Sequence, residues 1–112
     1  MSFSSKKLTP ADVQTAETDT LVKITAAAYT VGPDDGTIIV TAAATCVLTL
    51  PTPSTNNNRV LKVITQAAFA VNSASANVKP LAGGSNSTAI VGNTAGSKAT
   101  LRCDGTSWLI IG

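Results

Sequence analysis

Turn-forming residues interrupt this sequence at intervals of roughly eight to twelve positions from Leu21 onward, and this spacing constrains the fold more than any other feature. The segments between the turns are short and rich in Val, Ile and Thr, which favour β-strands. None of them has the length of the helices that βαβ units require. We therefore predict an all-β chain: a single-domain antiparallel β-sandwich or a jelly-roll-like barrel, with the strand order and a partly intertwined trimer left open.

Alternation of apolar and polar residues places the strands along the chain. Lys23, Lys62 and Lys98 alternate with apolar residues, so their side chains are predicted to face solvent. The dipeptide Asp104-Gly105 between two alternating runs predicts a hairpin. The predicted strands are Leu21–Val31, Thr37–Thr41, Cys46–Leu50, Arg59–Thr65, Phe69–Asn72, Ala76–Leu81, Thr88–Val91, Lys98–Cys103 and Ser107–Ile111.

The N-terminal segment lacks this alternation. We predict that residues 1–20 form an arm and that residues 21–112 form the β-domain. Thr9 and Pro10 match a helix N-cap followed by a first-turn proline, which predicts one or two helical turns over residues 12–17. So short a helix needs a surface to dock on, and an unstructured terminus is the alternative. The side chains predicted to bind a partner are those of Phe3, Lys6, Lys7, Leu8 and Val13.

The composition is poor in charge. Charged residues make up 12% of the sequence, whereas soluble domains usually carry about 25%. The net charge is +2, and the basic residues do not cluster along the sequence beyond Lys6-Lys7, so no nucleic-acid partner is expected. A mean hydropathy of +0.26 with so few charges indicates that partner chains cover much of the surface. We find no export signal and no apolar run that approaches the roughly 18 residues of a membrane span.

The sequence offers little for catalysis. It contains no histidine, and the acidic residues of Asp34-Asp35-Gly36 and Asp104-Gly105 are typical of turns. Gly83-Gly84-Ser85-Asn86 lacks the Lys of a P-loop and precedes no predicted helix. We therefore expect no enzyme activity, no cofactor and no small-molecule substrate.

Metal binding and disulfide bonding are also not expected. Calcium requires several converging oxygen ligands, and Asp34 with Asp35 is the one close acidic pair. Cys46 and Cys103 are far apart in the sequence, with no second pair to complete a zinc site or a disulfide framework. They are predicted to be buried free thiols.

Aromatic residues are scarce, at 4% of the sequence. Trp108 lies in the segment Ser107–Ile111, which is apolar on both faces. One face is predicted to pack on the domain itself, while the other meets another layer or subunit. The residues predicted for the core or for a trimer interface are Tyr29, Leu50, Trp108 and Ile110.

An ordered set of short motifs covers about three quarters of the chain: Tyr29-Thr30-Val31, Asp35–Val40, Val47–Pro51, Asn58–Ile64 and Cys103–Ile110. It resembles the small β-rich modules of bacteriophage virion proteins, which include tail fibre and spike segments and capsid decoration (cement) proteins. Where the usual module has glycine before its arginine, this sequence has Asn58, and the two cysteines are not part of the pattern.

The resemblance implies a homotrimeric structural part without enzyme activity. A chain that starts at a methionine and ends shortly after Trp108 suits a capsid decoration protein, made in the bacterial cytoplasm and placed on the outside of the virion. In that case the arm is expected to bind the major capsid protein, with Lys6 and Lys7 meeting an acidic surface. The alternative is a tail or neck fibre tip that binds the host surface. A secreted adhesin-like domain and an enzyme are weaker alternatives.

Overall fold

The computed structural model describes residues 20–112, and the predictions for the arm, including its short helix, lie outside the described residues. Within residues 20–112 the structure is all-β, with one turn of 3-10 helix at Pro53–Thr55 and no α-helix. The strands are β1 (Thr20–Ile24), β2 (Ala28–Thr30), β3 (Asp35–Val40), β4 (Cys46–Thr49), β5 (Val60–Thr65), β6 (Val71–Ser73), β7 (Val78–Lys79), β8 (Ala89–Val91), β9 (Lys98–Cys103) and β10 (Trp108–Ile110).

The strands form two sheets, one with the order β1-β3-β5-β9-β10-β7 and one with the order β2-β4-β6-β8. In the first sheet β1, β3 and β5 are parallel neighbours, and in the second β2, β4 and β6 are. The chain therefore crosses from one sheet to the other and back, and it winds through three coils that each add one strand to each sheet. Antiparallel pairing of β8 with β6, β9 with β5 and β10 with β9, together with parallel pairing of β7 with β10, completes the two sheets.

The predicted antiparallel sandwich or jelly-roll-like barrel is wrong in strand direction, because five of the eight strand pairings are parallel. Jelly rolls are built from antiparallel Greek keys, and here both sheets are mixed. Alternation shows which side of a strand faces the core, but it carries no information on the direction of the neighbouring strand. The short connections from β1 to β2, from β3 to β4 and from β5 to β6 are corners that carry the chain from one sheet to the other.

One corner splits the predicted strand Leu21–Val31 into β1 and β2. The Thr41 amide donates to the Ile24 carbonyl at 2.8 Å, and in the next coil the Gln66 amide donates to the Val40 carbonyl at 2.8 Å. Similar four-residue sequences lie side by side at these corners. They begin at residues 24, 40 and 65 and read ITAA, VTAA and TQAA. The small alanine side chains allow successive corners to stack closely, and Ala42 is buried.

The core lies between the two sheets. Residues from both sheets form one cluster, and the fully buried members include Ile38 and Leu61 on one side and Leu48 and Val71 on the other. Burial of each such side chain contributes roughly 1.5–3 kcal/mol. The outward-facing residues of the two sheets therefore form the two broad surfaces of the domain.

The predicted Asp104-Gly105 hairpin is confirmed. β9 and β10 pair antiparallel, with Cys103 opposite Trp108, and Gly105 has a φ of 89°, which favours glycine. The Asp104 Oδ1 accepts hydrogen bonds from the Thr106 amide at 2.9 Å and the Ser107 amide at 2.7 Å. The Ser107 and Thr106 amides lower the pKa of Asp104 from its usual value, because they stabilise the charged carboxylate.

Asn58 also has a special backbone conformation. Its φ is 69°, and no other non-glycine residue within residues 20–112 has a positive φ. Asparagine tolerates this left-handed region better than most residues do. Asn58 thus adopts a conformation that glycine would adopt easily, at the position directly before Arg59.

Candidate functional site

A polar cluster joins the two sheets near the start of β3. The Asp35 side chain is only 7% exposed, and its Oδ2 accepts hydrogen bonds from the Tyr29 hydroxyl at 2.6 Å and the Gly32 amide at 2.7 Å. Arg59 Nη2 donates to the carbonyls of Gly32 at 2.6 Å and Asp35 at 2.8 Å. The cluster therefore ties the turn before β3 to β2 and to the residue that precedes β5.

The chemistry of this cluster is that of a structural support. The hydrogen bond to Asp35 raises the pKa of Tyr29 above 10.0, with smaller contributions from burial and from the Asp35 charge. At neutral pH the phenol is therefore protonated and donates a hydrogen bond to the carboxylate. Arg59 uses its guanidinium on carbonyl oxygens and on the Asn56 side chain at 3.1 Å, so it is engaged within the domain.

The predicted core or interface residues lie along the space between the sheets. Trp108 has no exposed surface, and its Nε1 donates to the Pro51 carbonyl at 3.0 Å. Leu50 is buried, whereas Tyr29 and Ile110 are half-buried and pack against the core. The outer surfaces of the domain are consequently made by other residues.

Both cysteines are free and buried, as the sequence predicted. Burial raises the pKa of the Cys46 thiol. The Cys103 thiol donates to the Pro53 carbonyl at 3.3 Å and accepts from the Gly105 amide at 3.4 Å. The Cys103 contacts connect the hairpin turn to the 3-10 turn.

Neither a metal centre nor a spanning helix is found in the part of the chain that the structure describes. Among residues 20–112, no group of three or more His, Cys, Asp or Glu side chains is placed to hold a metal ion. In that same range no helix is long and apolar enough to cross a membrane.

The outer surface of the four-stranded sheet carries no charge. Buried neighbours such as Cys46, Leu48 and Val71 point into the core, so the alternate residues of these strands point outward. We call this surface the neutral sheet face. It consists of Ala28, Thr30, Val47, Thr49, Asn72 and Ala89, of which Ala28, Val47, Asn72 and Ala89 lie side by side across the four strands.

The outer surface of the six-stranded sheet is basic. Of the eight basic residues, Lys6 and Lys7 lie outside the described range and Arg59 is engaged within the domain. The other five lie on strands of this sheet next to buried residues, so their side chains point away from the core. We call this surface the basic sheet face, defined by Lys23, Lys62, Lys79, Lys98 and Arg102.

Aliphatic side chains lie between these cations. Ile39 and Ile64, both half-buried, lie between Lys23 and Lys98 in one row across four strands. In a second row Leu109, also half-buried, separates Arg102 from Lys79. The basic sheet face therefore combines an aliphatic surface with positive charges around it.

Along the sequence the basic residues do not cluster beyond Lys6-Lys7, but the fold places five cations on one sheet face. Lys23, Lys62 and Lys98 are exposed, as predicted, but they are far apart in the sequence and share one face only because their strands join one sheet. The available signal is the outward position of each cation on its strand. Which cations share a surface can be worked out only when the strand order is known.

Comparison with protein families, with curated proteins and with solved structures finds no match to this chain. The function is therefore inferred from the surfaces and contacts of residues 20–112.

Proposed function

We propose that the protein is a bacteriophage structural protein: a capsid decoration (cement) protein that binds the outside of the assembled head as a homotrimer and stabilises it. The observation that supports this proposal most directly is the neutral sheet face. Six outward positions on four adjacent strands carry no charge, whereas the opposite sheet carries five cations. Such a division of charge suits a domain with one surface for its own copies and another for a different partner.

The neutral sheet face has the properties of a subunit interface. Charged residues are depleted at the centres of protein interfaces, and this face has none. Its side chains are small, so another surface can approach closely, and Val47 is 37% exposed at its centre. Three such faces turned towards a threefold axis would form a charge-free centre, as closed cyclic symmetry allows.

The trimer is proposed to act on the head by mass action. A protein that binds the assembled shell, and not its separate subunits, stabilises the assembled state by its binding free energy. Three identical arms on one trimer increase the avidity. In this proposal the arm residues Phe3, Leu8 and Val13 anchor the trimer on the major capsid protein, and Lys6 and Lys7 meet an acidic part of it.

Light scattering on the purified full chain tests the trimer. We expect a mass of three chains for the wild type and of one chain for Val47→Glu, because that substitution places three carboxylates near the threefold axis. Val60→Glu is a matched control, since Val60 is 38% exposed but lies on the other sheet. A monomeric wild type contradicts the proposal, and so does a Val47→Glu protein that keeps its trimeric mass.

Co-sedimentation tests the role on the head. We expect the wild-type trimer to sediment with empty heads of the phage that encodes it and to raise the temperature at which those heads break. A trimer that sediments only with host cells would instead identify a fibre tip. A protein that binds neither heads nor cells would overturn the virion assignment.

A further inference from the structure

Lys62 and Lys98 on the basic sheet face are not explained by the stability of the fold, whereas at the edge of the sheet the Lys79 Nζ donates to the Gly84 carbonyl at 2.8 Å. Lys62 lies opposite Thr37 and Thr100, so no acidic residue faces it across either neighbouring strand. Lys98 lies opposite Ile64 in the same sheet. Cross-strand pairs of opposite charge stabilise sheets, and these cations have none.

The cations are also close enough to repel one another. Lys62 is the diagonal neighbour of both Lys98 and Arg102 on β9, and diagonal positions on adjacent strands are roughly 7–8 Å apart. This separation is shorter than the Debye length of about 10 Å at 0.1 M salt. Of the three acidic residues in the described range, Asp35 is buried between the sheets, and Asp34 and Asp104 lie in turns, with Asp104 near Lys79 at one corner.

We propose that the basic sheet face docks onto an acidic protein surface. The aliphatic residues Ile39, Ile64 and Leu109 would pack against the centre of that surface, and the cations around them would meet its carboxylates. A second copy of the chain is disfavoured as the occupant, because two basic faces would repel. Single-stranded nucleic acid is disfavoured because the face offers no aromatic side chain on which bases stack.

The position of the face identifies the partner within a decorated head. The two outer sheet faces lie on opposite sides of the core. If the neutral sheet faces turn towards the threefold axis, the basic sheet faces turn away from it, towards the shell subunits around the trimer. The partner is therefore the acidic surface of those subunits, an identity that rests on the proposed function.

Substitution of three cations in the full chain tests the inference. We expect the triple variant Lys62→Gln, Lys98→Gln, Arg102→Gln to bind empty heads more weakly than the wild type by a factor on the order of ten or more at about 50 mM salt, because interfacial charge pairs are weakly screened there. Binding of the wild type is expected to fall as the salt is raised to about 300 mM. The trimeric mass is expected to be unchanged.

A second triple variant controls for net charge. Ser54→Glu, Asn93→Glu and Ala95→Glu change the net charge by the same amount at exposed positions outside the strands that carry the basic sheet face. This variant is expected to bind heads within about twofold of the wild type, since most effects of interfacial charge require proximity. Equal binding of heads by the wild type and the glutamine variant would overturn the inference and leave the proposed function standing.

A probe that needs no phage distinguishes failure of the proposed function from failure of the inference about the basic sheet face. If the wild type does not bind heads, the proposed function fails, and the face is tested with poly-L-glutamate and with duplex DNA of similar length. Binding of poly-L-glutamate that is lost in the glutamine variant supports an acidic protein partner. Absence of that binding overturns the inference, and so does tighter binding of DNA than of poly-L-glutamate by the wild type.

Discussion

The hydroxyl of Tyr29 on β2 donates a 2.6 Å hydrogen bond to Oδ2 of Asp35 at the start of β3, and so joins the first coil to the second across the two sheets. The carboxylate is buried and also accepts from the Gly32 amide. Removing one donor from a buried charged acceptor costs more than an average hydrogen bond contributes. The pair is thus expected to control both stability and its dependence on pH.

Tyr29→Phe is expected to lower the free energy of unfolding at pH 7 by about 1–3 kcal/mol, because the buried carboxylate loses a donor. Urea unfolding followed by Trp108 fluorescence measures this, since the chain has one tryptophan. Unchanged stability would show that the hydroxyl contributes nothing to the fold.

The same pair predicts a loss of stability at alkaline pH. The folded-state pKa of Tyr29 lies above 10.0, so its contribution is complete below pH 10 and is lost as the pH rises through the folded value. Tyr29 is the one tyrosine, and its phenolate absorbance reports this titration directly. Asp35→Asn is expected to move the pKa back towards 10, and a titration identical to that of the wild type would contradict the assigned cause.

Arg59 and Arg102 form a matched pair for a second prediction. Arg59 donates to two backbone carbonyls and to Asn56, whereas Arg102 makes one long contact of 3.5 Å to Asn58. Lysine cannot reproduce the planar fork of arginine, so Arg59→Lys is expected to cost about 1–2 kcal/mol and Arg102→Lys less than about 0.5 kcal/mol. Chemical denaturation compares the two, and equal losses would argue against the role assigned to Arg59.

Trp108 is expected to be the most sensitive single position of the core. Trp108→Ala removes a fully buried side chain and is expected to cost roughly 3–5 kcal/mol. If that variant does not fold, Trp108→Phe is the informative one. It keeps an aromatic ring but loses the hydrogen bond to Pro51, at an expected cost of about 1–3 kcal/mol. Thermal unfolding of Trp108→Phe that matches the wild type would contradict this assignment.

Asn58 allows a test of backbone conformation alone. Asn58→Gly is expected to keep the stability within about 0.5 kcal/mol, because glycine adopts a positive φ easily. Asn58→Val is expected to lose about 1–2 kcal/mol, since a branched side chain is strained in the left-handed region. Equal stability of the two variants would show that the loop changes conformation to suit the side chain.

Local features of the fold were predictable because they depend on neighbouring residues. The alternation in Lys98–Cys103 matches β9, and Asp104-Gly105 forms the turn that follows it. The coils were missed although their corners repeat the sequences ITAA and VTAA. Unequal spacing hides this repeat, since Leu21 pairs with Thr37, 16 positions later, and Thr37 pairs with Lys62, 25 positions later.

Three properties could be predicted from the residues alone: the β-structure of residues 21–112, the burial of Cys46 and Cys103, and the outward direction of Lys23, Lys62 and Lys98. These properties follow from the alternation and turn chemistry of each segment taken alone. The parallel direction of neighbouring strands, the contact of Tyr29 with Asp35, and the sheet face shared by five cations became known from the folded structure. Those relationships depend on which distant segments pack together. Burial of a common core selects which strands become neighbours, whereas the local pattern of each segment is compatible with several neighbours.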